Sequence, residues 1–144
     1  MKWCKLPTCI PICALVAILF ASCHTTSTHQ FAAPSANWQT RTGQLAYSGP
    51  GLSLIGEVLV RSAQNGEFEL TFTKAGGVTL LSLRQDAGFG QVEGPLARGR
   101  WSGPVANAPP RLRGWFALRD KIAAAGKTGT VEFKAGEQSF NLRF

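Results

Sequence analysis

Beyond Cys23 the chain has no cysteine, and its two histidines, His24 and His29, follow close behind that position. Without a second thiol there, the disulfide scaffold common in small secreted domains is excluded. A cysteine nucleophile and a cysteine-based metal site are excluded with it. A Ser-His-Asp arrangement would have to recruit a histidine from a polar segment outside any packed element, where preorganisation is hard. His24 and His29 alone do not make a metal site, so no metal or cofactor is expected. Acidic residues are also scarce, 8 against 15 basic ones. Asp86 and Glu93 flank a glycine-rich stretch and are the pair best placed to meet across a hairpin, as glycosidase acids must. Nothing near them suggests a sugar cleft, and a solvated face is the simpler account. Gly88-Phe89-Gly90 is too short for a phosphate loop, and no Walker or dinucleotide fingerprint is present. The expectation is a protein that is not an enzyme.

What is present begins with a leader. Lys2 and Lys5 precede an apolar stretch, Ile10 to Phe20. That run falls short of the ~20 residues a membrane-crossing helix needs, and a polar segment follows at once, as in a cleaved signal. Phe20 is a poor fit three residues before an ordinary signal-peptidase cut. Leu19-Phe20-Ala21-Ser22-Cys23 instead reads as a lipobox. The sequence therefore divides into a lipoprotein signal peptide (1–22), a lipidated Cys23 with a flexible tether (23–36), and one β-rich globular domain (37–144). Palmitate-type chains on Cys23 would contribute ~0.8 kcal/mol per buried methylene, so two or three anchor the protein stably. His24, rather than Asp, after the cysteine favours the outer membrane where the usual Gram-negative sorting convention holds, with the domain facing the periplasm. Setting Lys2 and Lys5 aside, 13 basic residues face 8 acidic ones, about +5. Nucleic acid is not an expected partner for an exported chain.

Apolar residues alternate along most of the domain: Leu45 and Tyr47; Leu52, Leu54, Val58 and Val60; Phe68, Leu70 and Phe72; Val78 and Leu80. Directly paired residues of antiparallel strands share a face, so parity tests each turn. Val60 can oppose Leu70 only across an odd loop, which Gln64-Asn65-Gly66 supplies with Gly66 left-handed. Parity likewise allows Tyr47 opposite Leu52 around 48–51, and Phe72 opposite Val78 around 73–77. Phe133 opposite Phe140 and Val131 opposite Leu142 require an even loop, and Gly136-Glu137 fits a type II′ turn. The other face carries Glu57, Arg61, Glu67, Glu69, Thr71 and Thr73, giving one wet and one apolar side. Leu81 and Leu83 break the alternation, so that strand is either buried on both faces or bulged. Residues 88–94 and 96–101 look like further short strands.

One helix is expected, with Pro109 and Pro110 at its first turn and Gly126 as its stop. Leu112, Trp115, Phe116, Ile122 and Ala123 recur at helical spacing. Around it, Arg98, Arg100, Arg111, Arg113, Arg119 and Lys121 cluster with Trp101 and Trp115 interleaved. Two accounts stay open: a surface for anionic headgroups or an envelope protein, through Arg98, Arg100, Arg111 and Arg113, or a solvated rim over core tryptophans. Phe89, between two glycines, either inserts into a bilayer or cargo or folds back as an ordinary core residue.

The fold class is mainly β (α+β): a curved antiparallel sheet or half-barrel of about seven strands with one covering helix. Seven strands ~4.8 Å apart span roughly 30 Å, whereas a helix is ~10–12 Å across. Either the sheet curls tightly, or an apolar groove stays open for a ligand. Trp38-Gln39-Thr40-Arg41-Thr42-Gly43-Gln44-Leu45, Gly66-Glu67-Phe68-Glu69-Leu70-Thr71-Phe72 and Leu112-Arg113-Gly114-Trp115 give a one-faced sheet with a Gly-Trp helix. This pattern on a lipid-anchored chain resembles the LolA/LolB family of outer-membrane lipoprotein carriers and receptors. The resemblance implies lipid binding, or binding of acylated lipoprotein cargo, in an apolar concavity. The expected lining is Leu54, Val58, Phe68, Leu70, Phe72 and Leu80, with Trp115 and Phe116 as lid. The alternative is an envelope assembly lipoprotein that docks a protein partner through its basic, tryptophan-bearing surface.

Overall fold

The computed structural model describes residues 28–127 and 129–144. The leader, the lipobox, Cys23 and His24 lie outside the described residues. Eight strands form one antiparallel sheet: β1 (Gln39–Gly49), β2 (Leu52–Ser62), β3 (Phe68–Lys74), β4 (Val78–Gln85), β5 (Phe89–Gly94), β6 (Gly99–Pro104), β7 (Thr130–Ala135) and β8 (Gln138–Arg143). Their order is β6-β5-β4-β3-β2-β1-β8-β7. The first six strands are a meander, and the last hairpin adds on the far side of β1. Since β6 ends one edge and β7 the other, the chain between them must cross the whole sheet. It does so as helix α1 (Pro110–Ala125), 16 residues long, about 24 Å at 1.5 Å per residue.

Two of the parity arguments match the register. Val60 pairs with Leu70, and the intervening loop closes through Gly66 N to Ala63 O at 3.1 Å, with Gly66 at φ 89°. Phe133 pairs with Phe140 and Val131 with Leu142. Gly136, at φ 61°, supplies the positive dihedral a type II′ turn needs at its first central residue. Two other pairings are corrected. Tyr47 faces Leu54, not Leu52, because the chain reverses in two residues, Pro50-Gly51, rather than four. Proline then left-handed glycine is the type II sequence. Parity is preserved, and Leu52 moves to the hairpin tip. Phe72 faces Leu81, not Val78, because a bulge inserts Leu80 between the Thr73–Thr79 and Phe72–Leu81 pairs. The extra residue turns Leu81 and Leu83 inward, where both are fully buried, and leaves Val78 57% exposed. The broken alternation is thus a bulge rather than a strand buried on both sides. The sixth strand starts at Gly99 instead of Leu96, since 95–97 form a 3-10 turn ending on left-handed Arg98.

The apolar faces of β1 through β5, β7 and β8 meet α1 in one core. A flat sheet of eight strands would be roughly 34 Å wide, so the sheet has to curl for one helix to bury all of it. Glycine at inner-face position 56 permits this: a Cβ there would lie 2.3 Å from the Thr73 carbonyl oxygen. The helix also needs glycine beneath it. A Cβ at Gly90 would meet Phe116 at 2.4 Å, and one at Gly114 would meet Phe140 at 2.6 Å. Trp115 then packs against Tyr47, Phe72 and Phe140, with ring centroids 4.9, 5.8 and 5.1 Å apart. Two buried glutamines pin the helix backbone. Gln85 donates to Phe116 O at 2.9 Å, and Gln138 donates to Arg111 O at 3.0 Å and to the Tyr47 hydroxyl at 2.8 Å.

Gly114→Ala sets two effects against each other. Alanine favours a helix interior by ~1 kcal/mol over glycine, but overpacking a tight contact costs about 1–3 kcal/mol. At 2.6 Å from an aromatic ring the steric effect should win, so the variant unfolds at lower urea concentration than the parent in an equilibrium titration.

Candidate functional site

Of the eight residues expected to line a concavity, Val58, Phe68, Leu70, Phe72, Trp115 and Phe116 are no more than 4% exposed. They fill the curl against one another and α1. Leu54 and Leu80 are half-buried at its edge. Of the eight, Phe68 alone also reaches an open cleft of about 440 Å³, between the second half of α1 and the adjoining ends of β1, β2 and β3. Phe68, Ile122 and Ala123 form its apolar part, and Arg41, Glu67, Arg119 and Lys127 its polar rim.

The rim is built from parts far apart in sequence. Arg41 donates to Gly126 O at 2.7 Å and Lys127 O at 3.0 Å, and its guanidinium lies 3.6 Å over the Phe144 ring. That satisfies backbone acceptors just past the helix end. Arg119 pairs through Nε with Asp120 at 2.9 Å, while its buried Nη1 has no hydrogen-bond partner among the described residues. Glu67 Oε2 is likewise buried without a hydrogen bond, 3.9 Å from Arg84. Buried polar atoms are seldom left unmatched, and each calls for an explanation. Both residues border this cleft.

The segment read as the end of a flexible tether lies against the convex face over residues 29–32. His29 Nε2 is 2.7 Å from Asp86 Oδ2, and its ring stacks on Phe89 at 4.2 Å. Phe31 sits 4.8 Å from the Arg84 guanidinium. The Ala32 amide donates to Glu67 Oε1 at 2.7 Å, and Arg84 donates to the Ala32 carbonyl. Phe89 is therefore not a core residue: it is half-buried outside the core and packs on residues 29 and 31 of its own chain. Glu67, expected on a wet face, is 7% exposed. Beside it a cross-strand ladder places Glu69 between Arg61, at 3.2 Å, and Arg84, at 3.3 Å.

Asp86 organises this corner. It accepts from the Gly88 and Phe89 amides at 2.9 and 2.8 Å. Partial burial pushes its pKa up, but those two hydrogen bonds and the neighbouring His29 outweigh it and hold the carboxyl below its usual value.

The remaining expected residues do not converge. Arg100 forms an exposed pair with Glu93 through two hydrogen bonds, at 3.0 and 2.7 Å. Arg113 donates to Ala108 O at 3.1 Å, closing the turn before α1. Arg98 and Arg111 are exposed. Trp115 belongs to the core, and Trp101 packs edge-on to Phe116 at 5.4 Å. Both of these tryptophans are thus packing residues, Trp115 fully buried and Trp101 half-buried. Asp86 and Glu93 each have a partner of their own. No protein-family model and no characterised protein matches the chain.

A carboxylate whose folded pKa is depressed stabilises the fold above its unfolded value, near 3.9, and loses that contribution as pH falls through the lower folded value. Hydrogen exchange at the Phe89 amide, which donates to Asp86, should accordingly speed up, relative to the intrinsic rate, as pH falls below about 4. In Asp86→Asn the same amide should exchange faster already at neutral pH, with little further acid effect.

Proposed function

We propose that this protein is a non-catalytic, outer-membrane lipoprotein, anchored through Cys23 with its domain in the periplasm, that binds one acyl chain of a lipid or of an acylated protein in the cleft beside the end of α1. The observation that carries this reading is the cleft: about 440 Å³, with Phe68, Ile122 and Ala123 forming an apolar floor beneath a charged rim in which Arg41, Arg119 and Lys127 outnumber Glu67 and Asp120. That volume lies within the ~300–1,000 Å³ of ordinary small-molecule sites. The placement differs from a central groove of the kind suggested by the LolA/LolB resemblance. The cargo enters at the end of the half-barrel, because the middle is occupied by Trp115 and its aromatic neighbours.

Magnitudes favour an amphiphile over a plain hydrocarbon. Burying about six methylenes at ~0.8 kcal/mol each supplies roughly 5 kcal/mol. Micromolar binding needs about 8 kcal/mol. The remainder has to come from the head, and Arg119 and Lys127 on the rim offer charge-assisted donors to a carboxylate or phosphate. The docked N-terminal segment also touches the cleft wall, since Glu67 lines the cleft and accepts from Ala32. Residues 29–32, a short way along the chain from the proposed anchor, therefore lie beside the cleft wall, which suits a site loaded from a membrane.

Ala123 is exposed and borders the cleft, so Ala123→Trp should fill it without disturbing the core. In the mature chain carrying Cys23→Ser, a fluorescent fatty acid should bind saturably, and Ala123→Trp should weaken binding roughly tenfold or more, about 1.4 kcal/mol, with an unchanged melting temperature. Absence of saturable binding, or equal binding by the two proteins, would remove the proposal.

A further inference from the structure

The sheet has two edges, and they are not alike. β6 ends at Pro104, carries Gly99 and Gly103, and is flanked by 3-10 turns at 95–97 and 105–107. Proline and irregular flanks are the usual means of blunting an edge. β7 contains neither proline nor glycine, and no bulge interrupts its pairing with β8. Among the described residues its only hydrogen-bonded neighbour is β8.

The turn determines which groups the free edge offers. In a hairpin closed by two residues, the flanking pair, here Ala135 and Gln138, exchanges hydrogen bonds, and alternate pairs beyond it do the same. Ala135, Phe133 and Val131 therefore point their amides and carbonyls at β8. Thr130, Glu132 and Lys134 point theirs outward, and all three residues are exposed. No backbone hydrogen bond outside the β7–β8 ladder reaches them among the described residues.

We propose that β7 pairs antiparallel with β7 of a second copy of this chain, with the two-fold axis at Phe133. Charge selects the register. With Phe133 facing its own copy, Glu132 of each chain lies directly opposite Lys134 of the other, and both residues carry outward backbone groups, as a hydrogen-bonded pair requires. Centring on Glu132 would place two glutamates face to face, and centring on Lys134 two lysines, which is unfavourable for directly opposed like charges. On the opposite face the same register sets Phe133 against Phe133 and Val131 against Ala135, all apolar and at least half-buried. A single lysine on an edge discourages pairing, but here its own copy supplies the neutralising glutamate. Glu132 and Lys134 have no ion-pair partner within their own chain among the described residues, so both charges are available.

The test uses the mature chain with Cys23→Ser, whose thiol count is then zero. Phe133→Cys puts one thiol at the symmetry centre, in a non-hydrogen-bonded pair whose Cα separation suits a disulfide. Mild oxidation should give roughly tenfold more linked dimer than Ser102→Cys on the β6 edge. Adding Glu132→Lys or Lys134→Glu should cut that yield roughly tenfold, and the two together should restore it. Sedimentation of the same charge variants with Phe133 intact should show the same loss and recovery, independent of any folding defect from the cysteine. Equal cross-linking at 102 and 133, single reversals without effect, or failure of the double reversal to restore association would overturn the proposal. The last outcome would point to a different chain with a fixed charge pattern as the edge partner.

Discussion

Trp115 occupies the one place where the curl of the sheet and the path of the chain have to agree. Its ring touches β1, β3 and β8 through Tyr47, Phe72 and Phe140, strands that would be far from a common point in a flat sheet. The helix reaches that depth because Gly90 and Gly114 withhold side chains where Phe116 and Phe140 come closest. Gln85 and Gln138 then bond helix carbonyls from two different strands, fixing rotation as well as depth. Large aromatic area and a few buried hydrogen bonds act together here: the first supplies most of the stability, and the second specifies a single seating.

That seating also explains where open space remains. A helix of about 24 Å crossing a curled sheet covers the middle and leaves the ends. At one end the hairpin tips leave Leu52 and Val78 partly exposed. At the other, the loop after β2 and the chain following α1 stand apart and frame the cleft, with Arg41 tying the helix end to β1. The cleft is thus a by-product of the crossing, and three of its rim charges, Arg41, Arg119 and Lys127, come from residues satisfying the helix terminus or flanking it.

Legibility in the sequence followed locality. The Val60–Leu70 and Phe133–Phe140 registers were readable because a short loop with a glycine at a defined position left one parity. The β3–β4 register was not, since nothing in Val78-Thr79-Leu80-Leu81 says which leucine is the extra one; only the pairing with β3 singles out Leu80. The helix was readable from its period and caps, while its need for Gly114 was not, because the reason lies in β8. The cleft had no local signature at all. Glu67, Arg119 and Arg41 come from three separate segments, and each alone looks like an ordinary charged surface residue. The docking of 29–32 was hidden for the same reason: its partners Asp86, Arg84 and Glu67 are supplied one by one from strand ends and turns.

The position of β8 has a kinetic consequence. β1 is 11 residues long and gains its second neighbour only from the last strand of the chain, after β2 through β6 and α1 have been made. Until that closing hairpin arrives, β1 is a long bare edge beside a half-formed core. Contacts between the beginning and the end of a chain form slowly because the intervening loop must first be organised, and unpaired edges invite association with other chains meanwhile. A fold whose first strand waits for its eighth therefore has reason to depend on a holding factor while it forms, which a meander closed in simple order would not need.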